Sequence, residues 1–523
     1  MINGAIPRLP GTGLPLSKWG SNLGCQIRPR GCLKNGTRLC RRPAAAEEAS
    51  IISRDFMACC GWSRTTQPRS ICSKRALRFI DFWSPKLALL LSLLIAPMSA
   101  KVHAAALLLT GATVHTITGE DLSPGEVLLR DGKIAAIAKT ISPEGATRVD
   151  LTGQHLYPGM ISLDTVLGLT EIDAIRATAD EKEVGDFTPD VQSWISVNPD
   201  SELIPVARAN GISYFEPVPL GSIVSGQSGL LVVDGWTTEQ LAVKTPVALH
   251  LFWPAMDLDT TPKERARGKT KPKSLADQAK ERRTKVQSIA EFFAEAKAYA
   301  KAKAAAAKGL AGAPEPVPAW EAMLPYIRGE HPLVIHADEI RQIRSAVTWA
   351  STNDLKMILA GGRDAWMMAG ILAAKQIPVI YEHTYTQPSR DTESYDVHFR
   401  APSILQQAGV KVVFSLGPLA FDAPQVRNLP YSAAQAVAFG LPEAEALKGL
   451  TLYPAQLAGV ADRLGSIEVG KDATLFAVAG DILDTRAQVK HLWIAGNEVS
   501  LETKHTRLYE KYTARPTNMR ASP

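Results

Sequence analysis

Two histidines follow apolar runs of this chain in positions from which they could bind a metal ion. His336 ends the run 333–335, and His383 comes shortly after the run 379–381. A neutral imidazole nitrogen binds zinc and other divalent metals. When such runs form neighbouring parallel strands of a barrel, their carboxyl ends meet at one face. We therefore predict that both imidazoles take part in a metal site.

Carboxylates near these positions can complete the ligand set. Asp164 lies near the end of an apolar run, and Asp338 and Glu339 follow His336. We predict one mononuclear site, with zinc as the cofactor, that combines His336, His383, Asp164 and either Asp338 or Glu339, the other carboxylate contacting the substrate. The alternatives are that Asp164 only hydrogen bonds at its strand end and that hydrogen bonds hold His336 without a metal.

Two further residues are candidates for substrate binding. Arg363 follows the run 356–359. A guanidinium cannot lose its proton to bind a metal, but it holds a carboxylate or another anion through two parallel hydrogen bonds. His250, within the apolar run 247–253, is the second candidate. An isolated histidine in such a run is alternatively a core residue that is satisfied by hydrogen bonds.

These residues need a scaffold that brings strand ends together. Short apolar runs alternate with helical stretches through the centre of the chain; the runs are residues 212–215, 247–252, 333–336, 356–359, 379–381 and 410–415. Such alternation over about 300 residues is typical of a (β/α)8 barrel, where chemistry takes place at the carboxyl ends of the strands. We predict an α/β fold with this barrel over residues 158–461.

Short β-rich segments lie on both sides of the predicted barrel. Residues 107–116, 126–129 and 133–138 precede it, and residues 465–469, 473–478 and 489–494 follow it. Turn signals such as Asp131-Gly132 separate them. We predict that residues 105–157 and 462–512 form one small β-sandwich domain from both ends of the mature chain.

One segment departs from the strand and helix alternation. Residues 263–273 are basic, and the Ala, Lys and Glu-rich stretch that follows has apolar side chains at helical spacing, namely Val286, Ile289, Phe292, Phe293, Ala296 and Tyr299. We predict an insertion over residues 263–318, made of a basic linker, a helix that packs this stripe on the barrel, and a loop. The alternative is a helix that binds a partner or a membrane surface.

The charge of the chain is unevenly distributed. Sixteen of the 58 basic residues but only four of the 52 acidic residues lie in residues 1–104. The remaining 42 basic and 48 acidic residues give a net charge of about −6. No basic surface therefore argues for nucleic acid as a partner.

The first 104 residues differ from the body. All six cysteines lie before residue 73, so the body has neither a disulfide nor a thiolate zinc site. Residues 1–73 stay unassigned, and Met57 is a more credible start than Met1. Residues 74–104 combine basic residues, a short apolar run and small residues, which is typical of a signal peptide. Because the run is too short for a membrane anchor, we predict cleavage near Ala104 and a secreted or periplasmic protein.

Three stretches of the body resemble the amidohydrolase superfamily. Residues 157–161, with the sequence Tyr-Pro-Gly-Met-Ile, resemble the start of its first barrel strand. Residues 333–338 resemble the end of its fifth strand, and residues 452–473 resemble the return from the last barrel helix to the β domain. The resemblance covers about residues 106–512 and is closest to the imidazolonepropionase-like branch.

The resemblance implies a hydrolase whose metals are bound by histidines of strands 1, 5 and 6 and a strand 4 residue, with a proton-carrying aspartate on strand 8. This chain departs from that pattern. Asp164 and Val166 stand where strand 1 has its two histidines, and only His336 matches. Strand 8 ends in Phe414-Ser415, so Asp422 carries the proton only if its loop folds inward. An intact binuclear site is not expected.

Two functions remain open at this stage. The first is a hydrolase that acts on non-peptide C–N bonds of a small molecule, cyclic ones foremost, through a rearranged metal site around His336. The second is a catalytically inactive relative that binds a small molecule, or that pairs with an active homologue. A homo-oligomer is the other assembly that we consider. A serine or cysteine hydrolase is disfavoured, because the body has no cysteine and no GxSxG motif.

Overall fold

The computed structural model describes residues 106–221, 223–260 and 273–515. The unassigned residues 1–73, the predicted signal peptide and residues 263–272 of the basic linker lie outside these ranges. In the described part of the chain, no helix has the length and apolar character that crossing a membrane requires.

Strands from both ends of the body form one sheet, which we call the composite sheet. Its members are β1 (Leu107–Val114), β2 (Leu122–Arg130), β3 (Lys133–Ala138), β4 (Thr147–Asp150), β5 (Gln154–Pro158), β14 (Leu475–Ala479), β15 (Gln488–Ile494) and β16 (Asn497–Glu498). The order is β16-β15-β14-β5-β1-β2-β3, with β4 paired to β1. All eight strands share one hydrogen-bonded network, so the predicted sandwich of two sheets is not confirmed.

The second sheet, the barrel sheet, holds the intervening strands. These are β6 (Met160–Thr165), β7 (Ile212–Pro217), β8 (Val224–Val232), β9 (Ala242–Phe252), β10 (Leu333–Ala337), β11 (Met357–Gly361), β12 (Val379–Tyr381) and β13 (Val412–Phe414), paired in chain order. The sheet is nearly closed, because the Ser415 hydroxyl donates to the Asp164 carbonyl oxygen at 3.0 Å and joins the end of β13 to β6. The predicted barrel-like α/β fold is therefore observed.

One strand departs from a regular (β/α)8 barrel. β8 runs antiparallel to both β7 and β9, whereas the pairings from β9 to β13 are all parallel. An antiparallel strand needs no crossover helix. Accordingly only the four-residue helix α2 (Thr238–Leu241) lies between β8 and β9.

The remaining helices follow the strands. They are α1 (Leu203–Arg208), α3 (Leu275–Ala307), α4 (Pro318–Ile327), α5 (Ile340–Thr352), α6 (Ala369–Ala374), α7 (Val397–Gln407), α8 (Leu429–Ala438), α9 (Glu443–Leu450), α10 (Leu452–Leu457) and α11 (Lys504–Thr513). Short 3-10 turns cover Arg176–Thr178, Ser193–Ser196, Ala365–Met368 and Ala423–Asn428.

Barrel strands are buried on both faces. In β10, Val334 belongs to one apolar cluster and Ile335 to another. The same alternation holds for Ile358 and Leu359 in β11. This is the pattern of parallel strands that are covered by helices on one side and by the barrel interior on the other.

The inserted helix α3 forms as the apolar spacing predicts. Its N-cap is Ser274, whose side chain accepts a hydrogen bond from the backbone N–H of Asp277. The buried residues along the helix are Ile289, Phe293, Ala296 and Tyr299. Phe293 packs edge-on against Trp349 of α5, with ring centroids 4.8 Å apart. The stripe therefore attaches the insertion to the barrel.

Candidate metal centre

Asp164, His250 and His336 come together in the barrel interior. One ligand atom from each lies within 4.8 Å of those of the other two, and all three side chains are buried. His250 Nδ1 lies 3.0 Å from His336 Nε2, and His336 Nδ1 lies 3.9 Å from Asp164 Oδ2. We call this group the Asp-His-His cluster.

Strand register explains why the two imidazoles meet. His250 of β9 lies opposite Val334 of β10, and His336 is two residues farther along the same strand. Residues two apart on a strand share one face, so both rings point into the barrel. The Phe252 ring stacks on His336 with centroids 4.0 Å apart and an interplanar angle of 7°. This contact fixes the orientation of the His336 ring.

Asp164 has a strained backbone. Its φ is +59°, in the left-handed region that residues other than glycine rarely occupy. Two side chains hold it there: its N–H donates to Glu216 Oε2 at 3.3 Å, and its carbonyl oxygen accepts from the Ser415 hydroxyl at 3.0 Å. Strain of this kind is maintained by surrounding contacts and is concentrated at functional sites.

Glu216 supports the cluster from the second barrel strand. It is 1% exposed and accepts a 2.6 Å hydrogen bond from the Ser228 hydroxyl. The same carboxylate lies 3.7 Å from His250 Nε2. Sequence reasoning missed Glu216. The signal was a single carboxylate near the end of the apolar run 212–217.

Several polar atoms of the cluster lack hydrogen-bond partners. Among the described residues, no N–H or hydroxyl group donates to either carboxylate oxygen of Asp164, and His250 Nε2 has no hydrogen-bond partner. Burial raises the pKa of Asp164 to about 7, and the negative charges of Glu216 and Asp338 add to this effect. The Glu382 carboxyl group is the neighbour that hydrogen bonds to Asp164, and this bond alone lowers the pKa of Asp164. Unpaired buried polar groups of this kind are a mark of a missing water or ion. The donor set of one carboxylate and two imidazoles fits a single divalent metal ion.

Glu382 lies beside the cluster, immediately after β12. Burial raises its pKa well above the usual range, as does the neighbouring charge of Asp164. For the His336 ring, burial lowers the pKa well below its usual value, and the nearby His250 adds to this. The two shifts favour the protonated form of Glu382 and the neutral form of His336, and neutral imidazole is the form that binds metals.

His383 does not join the cluster. Its Nε2 lies 2.6 Å from Asp338 Oδ1, and its Nδ1 lies 3.0 Å from the Thr386 hydroxyl. Burial by itself lowers the pKa of His383, but the hydrogen bond and charge of Asp338 outweigh it and raise the pKa. The structure thus places His250, predicted for the substrate, in the position predicted for His383.

Two other predicted residues make contacts of different kinds. Glu339 turns away from the barrel mouth and caps α5, where its side chain accepts from the N–H groups of Arg341 and Gln342. Because this capping box occupies the carboxylate, Glu339 acts on the helix and not on the metal. The backbone N–H of Arg363 donates to Asp338 Oδ1 at 3.4 Å, while the Arg363 guanidinium lies beside Asp364.

Asp422 lies near Gly417, which follows the end of the eighth barrel strand, β13. A methyl group added at Gly417 would lie 3.2 Å from Asp422 Oδ2 and 3.1 Å from Glu382 Oε2. Burial raises the pKa of Asp422. The predicted loop aspartate and the strand 7 glutamate therefore flank one glycine. Val166 is fully buried and offers no ligand atom.

A separate cavity lies at the other end of the barrel. It has a volume of about 460 Å³, and its lining includes Pro378, Val410 and Lys411, which precede β12 and β13. Lys411 Nζ donates to Gln456 Oε1 at 2.8 Å. Because barrel chemistry takes place at the carboxyl ends of the strands, this cavity is not the candidate centre.

Comparison with known proteins supports the resemblance. Residues 321–499 match the model of the amidohydrolase family. Over these residues the chain is similar to that family. A solved amidohydrolase from Thermotoga maritima is 27% identical, with a TM-score of 0.66, and the match covers 75% of this chain and 99% of that one. No curated protein matches.

Other solved structures overlap less well with this chain. A second amidohydrolase is 16% identical with a TM-score of 0.46, covering 76% of this chain and all of that one. An adenosine deaminase from Xanthomonas campestris with bound zinc is 17% identical with a TM-score of 0.45, covering 78% and 97%. These two overlaps carry no argument about the site. The imidazolonepropionase-like branch and the identity of the metal as zinc are not confirmed.

Proposed function

We propose that this protein is a metal-dependent hydrolase that acts on non-peptide C–N bonds of small molecules. The observation that carries the proposal is the Asp-His-His cluster, in which three ligand atoms converge and no N–H or hydroxyl group of the described residues donates to the Asp164 carboxylate. Three protein ligands with an open position are the arrangement of catalytic zinc sites. The family domain supports the hydrolase class.

The residues of the cluster divide the work. Asp164, His250 and His336 would hold the ion, and Glu216 orients Asp164 and lies beside His250. When bound, a divalent ion supplies an activated water and polarises a carbonyl. Glu382 and Asp422, which flank Gly417, are the carboxyls placed to take up and return a proton at the end of the eighth strand.

Metal content tests the proposal. The purified protein is loaded with zinc or manganese, dialysed and measured by elemental analysis. We expect about one ion per chain, and His250→Ala and His336→Ala each to lower occupancy at least about tenfold, because each removes a ligand. His383→Ala is the matched control and should keep its metal, since that ring bonds Asp338 instead.

Activity decides between the two functions. The metal-loaded protein is assayed for hydrolysis of linear amides, cyclic imides and ureas, with the chelated protein as reference. Metal-dependent turnover that His250→Ala abolishes supports the hydrolase. Occupancy below about a tenth of an equivalent, unaffected by His336→Ala, would contradict the proposed centre.

The second candidate is a non-catalytic binding protein of the same fold. The observation that favours it is the end of β13, where Phe414 and Ser415 stand in place of a carboxylate, and the Ser415 hydroxyl is already bonded to the Asp164 backbone. A protein that binds one metal ion but hydrolyses none of the three compound classes would favour this candidate.

A further inference from the structure

A second layer of polar side chains lies beyond the Asp-His-His cluster. Asp338, Arg363 and His383 each lie one or two residues past the carboxyl ends of the adjacent strands β10, β11 and β12. Asp338 Oδ1 links the three residues, because it lies 2.6 Å from His383 Nε2 and accepts from the backbone N–H of Arg363 at 3.4 Å. A ligand that approaches the cluster from the strand ends meets this layer first.

The acidic residues next to Arg363 already have other partners. Asp338 is paired with His383. Asp364 is fully buried, and Arg390 binds both of its carboxylate oxygens while the Ile340 N–H donates to one of them at 3.1 Å. The Asp364 carboxylate is therefore fully used by other donors, and Asp338 interacts with Arg363 through the Arg363 backbone N–H and through charge, without a hydrogen bond to the guanidinium.

Among the described residues, the Arg363 guanidinium makes no hydrogen bond. Its one ion-pair contact there is with Asp364 Oδ1, which lies 3.7 Å from Nε and beyond hydrogen-bond reach. Nε is buried without an acceptor, and the side chain is 27% exposed. A desolvated cationic donor without an acceptor is unfavourable. An external anion would satisfy it.

We propose that Arg363 binds a carboxylate on the small-molecule ligand of this protein. The planar fork of a guanidinium matches the two oxygens of a carboxylate, and the neighbouring His383 lies on the same layer. The substrate class is then an amide or cyclic C–N compound that bears a carboxylate. The substrate class rests on the proposed function, because that function identifies the reacting bond. Binding of the carboxylate can be measured without turnover.

A matched pair of probes tests the inference. Binding of N-benzoylglycine and of its uncharged amide is measured by calorimetry on the full chain after dialysis against a chelator. We expect the acid to bind at least about tenfold more tightly than the amide, because charge-assisted paired hydrogen bonds form only with the acid. Arg363→Gln should abolish this preference, and Arg363→Lys should keep part of it, since lysine keeps the charge without the fork.

Arg341→Gln is the control, because it changes the net charge equally but alters only an exposed side chain that is paired to Glu339. It should bind both probes as the unaltered protein does. Equal affinity for acid and amide, no binding of the acid at concentrations on the order of 10 mM, or a preference that survives Arg363→Gln would each overturn the inference. Because the protein is chelated, these outcomes do not depend on the metal result.

Discussion

At the residue scale, the pairing of His383 with Asp338 gives His336 and His383 pKa shifts of opposite direction. The His336 ring is kept neutral by burial, whereas Asp338 keeps the His383 ring protonated to higher pH. Both imidazoles are largely buried, yet the pKa of one is lowered and that of the other is raised. One is suited to binding a metal and the other to facing an anion.

The charge of Asp338 should determine the titration of His383. We expect the pKa of the His383 ring, followed by NMR of its ring protons, to lie above 6.5 in the unaltered protein and to fall in Asp338→Asn. Because the folded pKa exceeds the unfolded one, the pair stabilises fully below about pH 6.5 and loses this contribution as the pH rises through the folded pKa.

Asp391→Asn is the comparison for this titration, since Asp391 is an exposed carboxylate on the same loop. It should leave the His383 pKa unchanged. A ring that titrates at or below 6.5 in the unaltered protein, or one that shifts equally in both variants, would show that the Asp338 contact does not control it.

Much of the site could be predicted from side-chain chemistry, but the choice among candidates could not. Asp164 and His336 were expected in the centre and lie there. His250 lies in the cluster where His383 was expected, because which histidine reaches it depends on strand register and on a competing carboxylate, neither of which is visible locally. Glu216 was missed because a single glutamate at the end of an apolar run is equally common in a solvent-exposed loop, so the local sequence does not indicate that it is buried.

At the element scale, α3 shows how a helix that is mostly exposed is kept in place. The helix spans 33 residues, yet only four of them are buried. Stability of such a helix comes mainly from its packed face and not from its intrinsic propensity. A few large side chains therefore carry its attachment to α5 and the barrel.

Truncation of the α3 anchor should be costly. Phe293 is 1% exposed, and Phe293→Ala should lower the free energy of unfolding by about 3–5 kcal/mol, because it removes buried apolar surface and leaves a cavity. Phe292→Ala is the comparison, since that neighbouring ring is only partly buried, and it should cost less than half as much. Denaturant unfolding measures both, and equal losses would contradict the assigned packing.

The reversed strand β8 marks the limit of prediction at this scale. The residues 225–229 of this strand, Ser-Gly-Gln-Ser-Gly, have the composition of a turn, yet every residue of the strand is buried. Burial between β7 and β9 overrides the local preference. Strand direction depends on the connection and on distant partners, so the alternation predicted a barrel but not the reversal.

At the scale of the whole molecule, the composite sheet joins the two ends of the body. β14 pairs with β5 along its whole length, from Leu475 opposite Pro158 to Ala479 opposite Gln154. β5 continues almost directly into β6, which carries Asp164. Both flanking sets of β segments contribute strands to this sheet. The predicted sandwich is not confirmed, and the pairing of strands so far apart in the chain is not visible in the local sequence pattern.

Removal of the C-terminal strands should therefore unfold more than the composite sheet. Deleting residues 475–523 takes away the β5 partner and the buried Phe476 and Trp493, and we expect insoluble protein or loss of the cooperative thermal transition. Deleting residues 504–523 removes α11, which has no buried residue, and should leave the transition within a few degrees. Comparable melting of both truncations would argue against this coupling.

The pairing of β5 with β14 also has a consequence for synthesis. Leu475 leaves the ribosome long after Pro158, so the edge of β5 stays open while the entire barrel is being made. Contacts between distant segments slow folding, and unpaired strand edges attract other chains in the meantime. We expect the nascent chain to depend on chaperones until its last strands emerge.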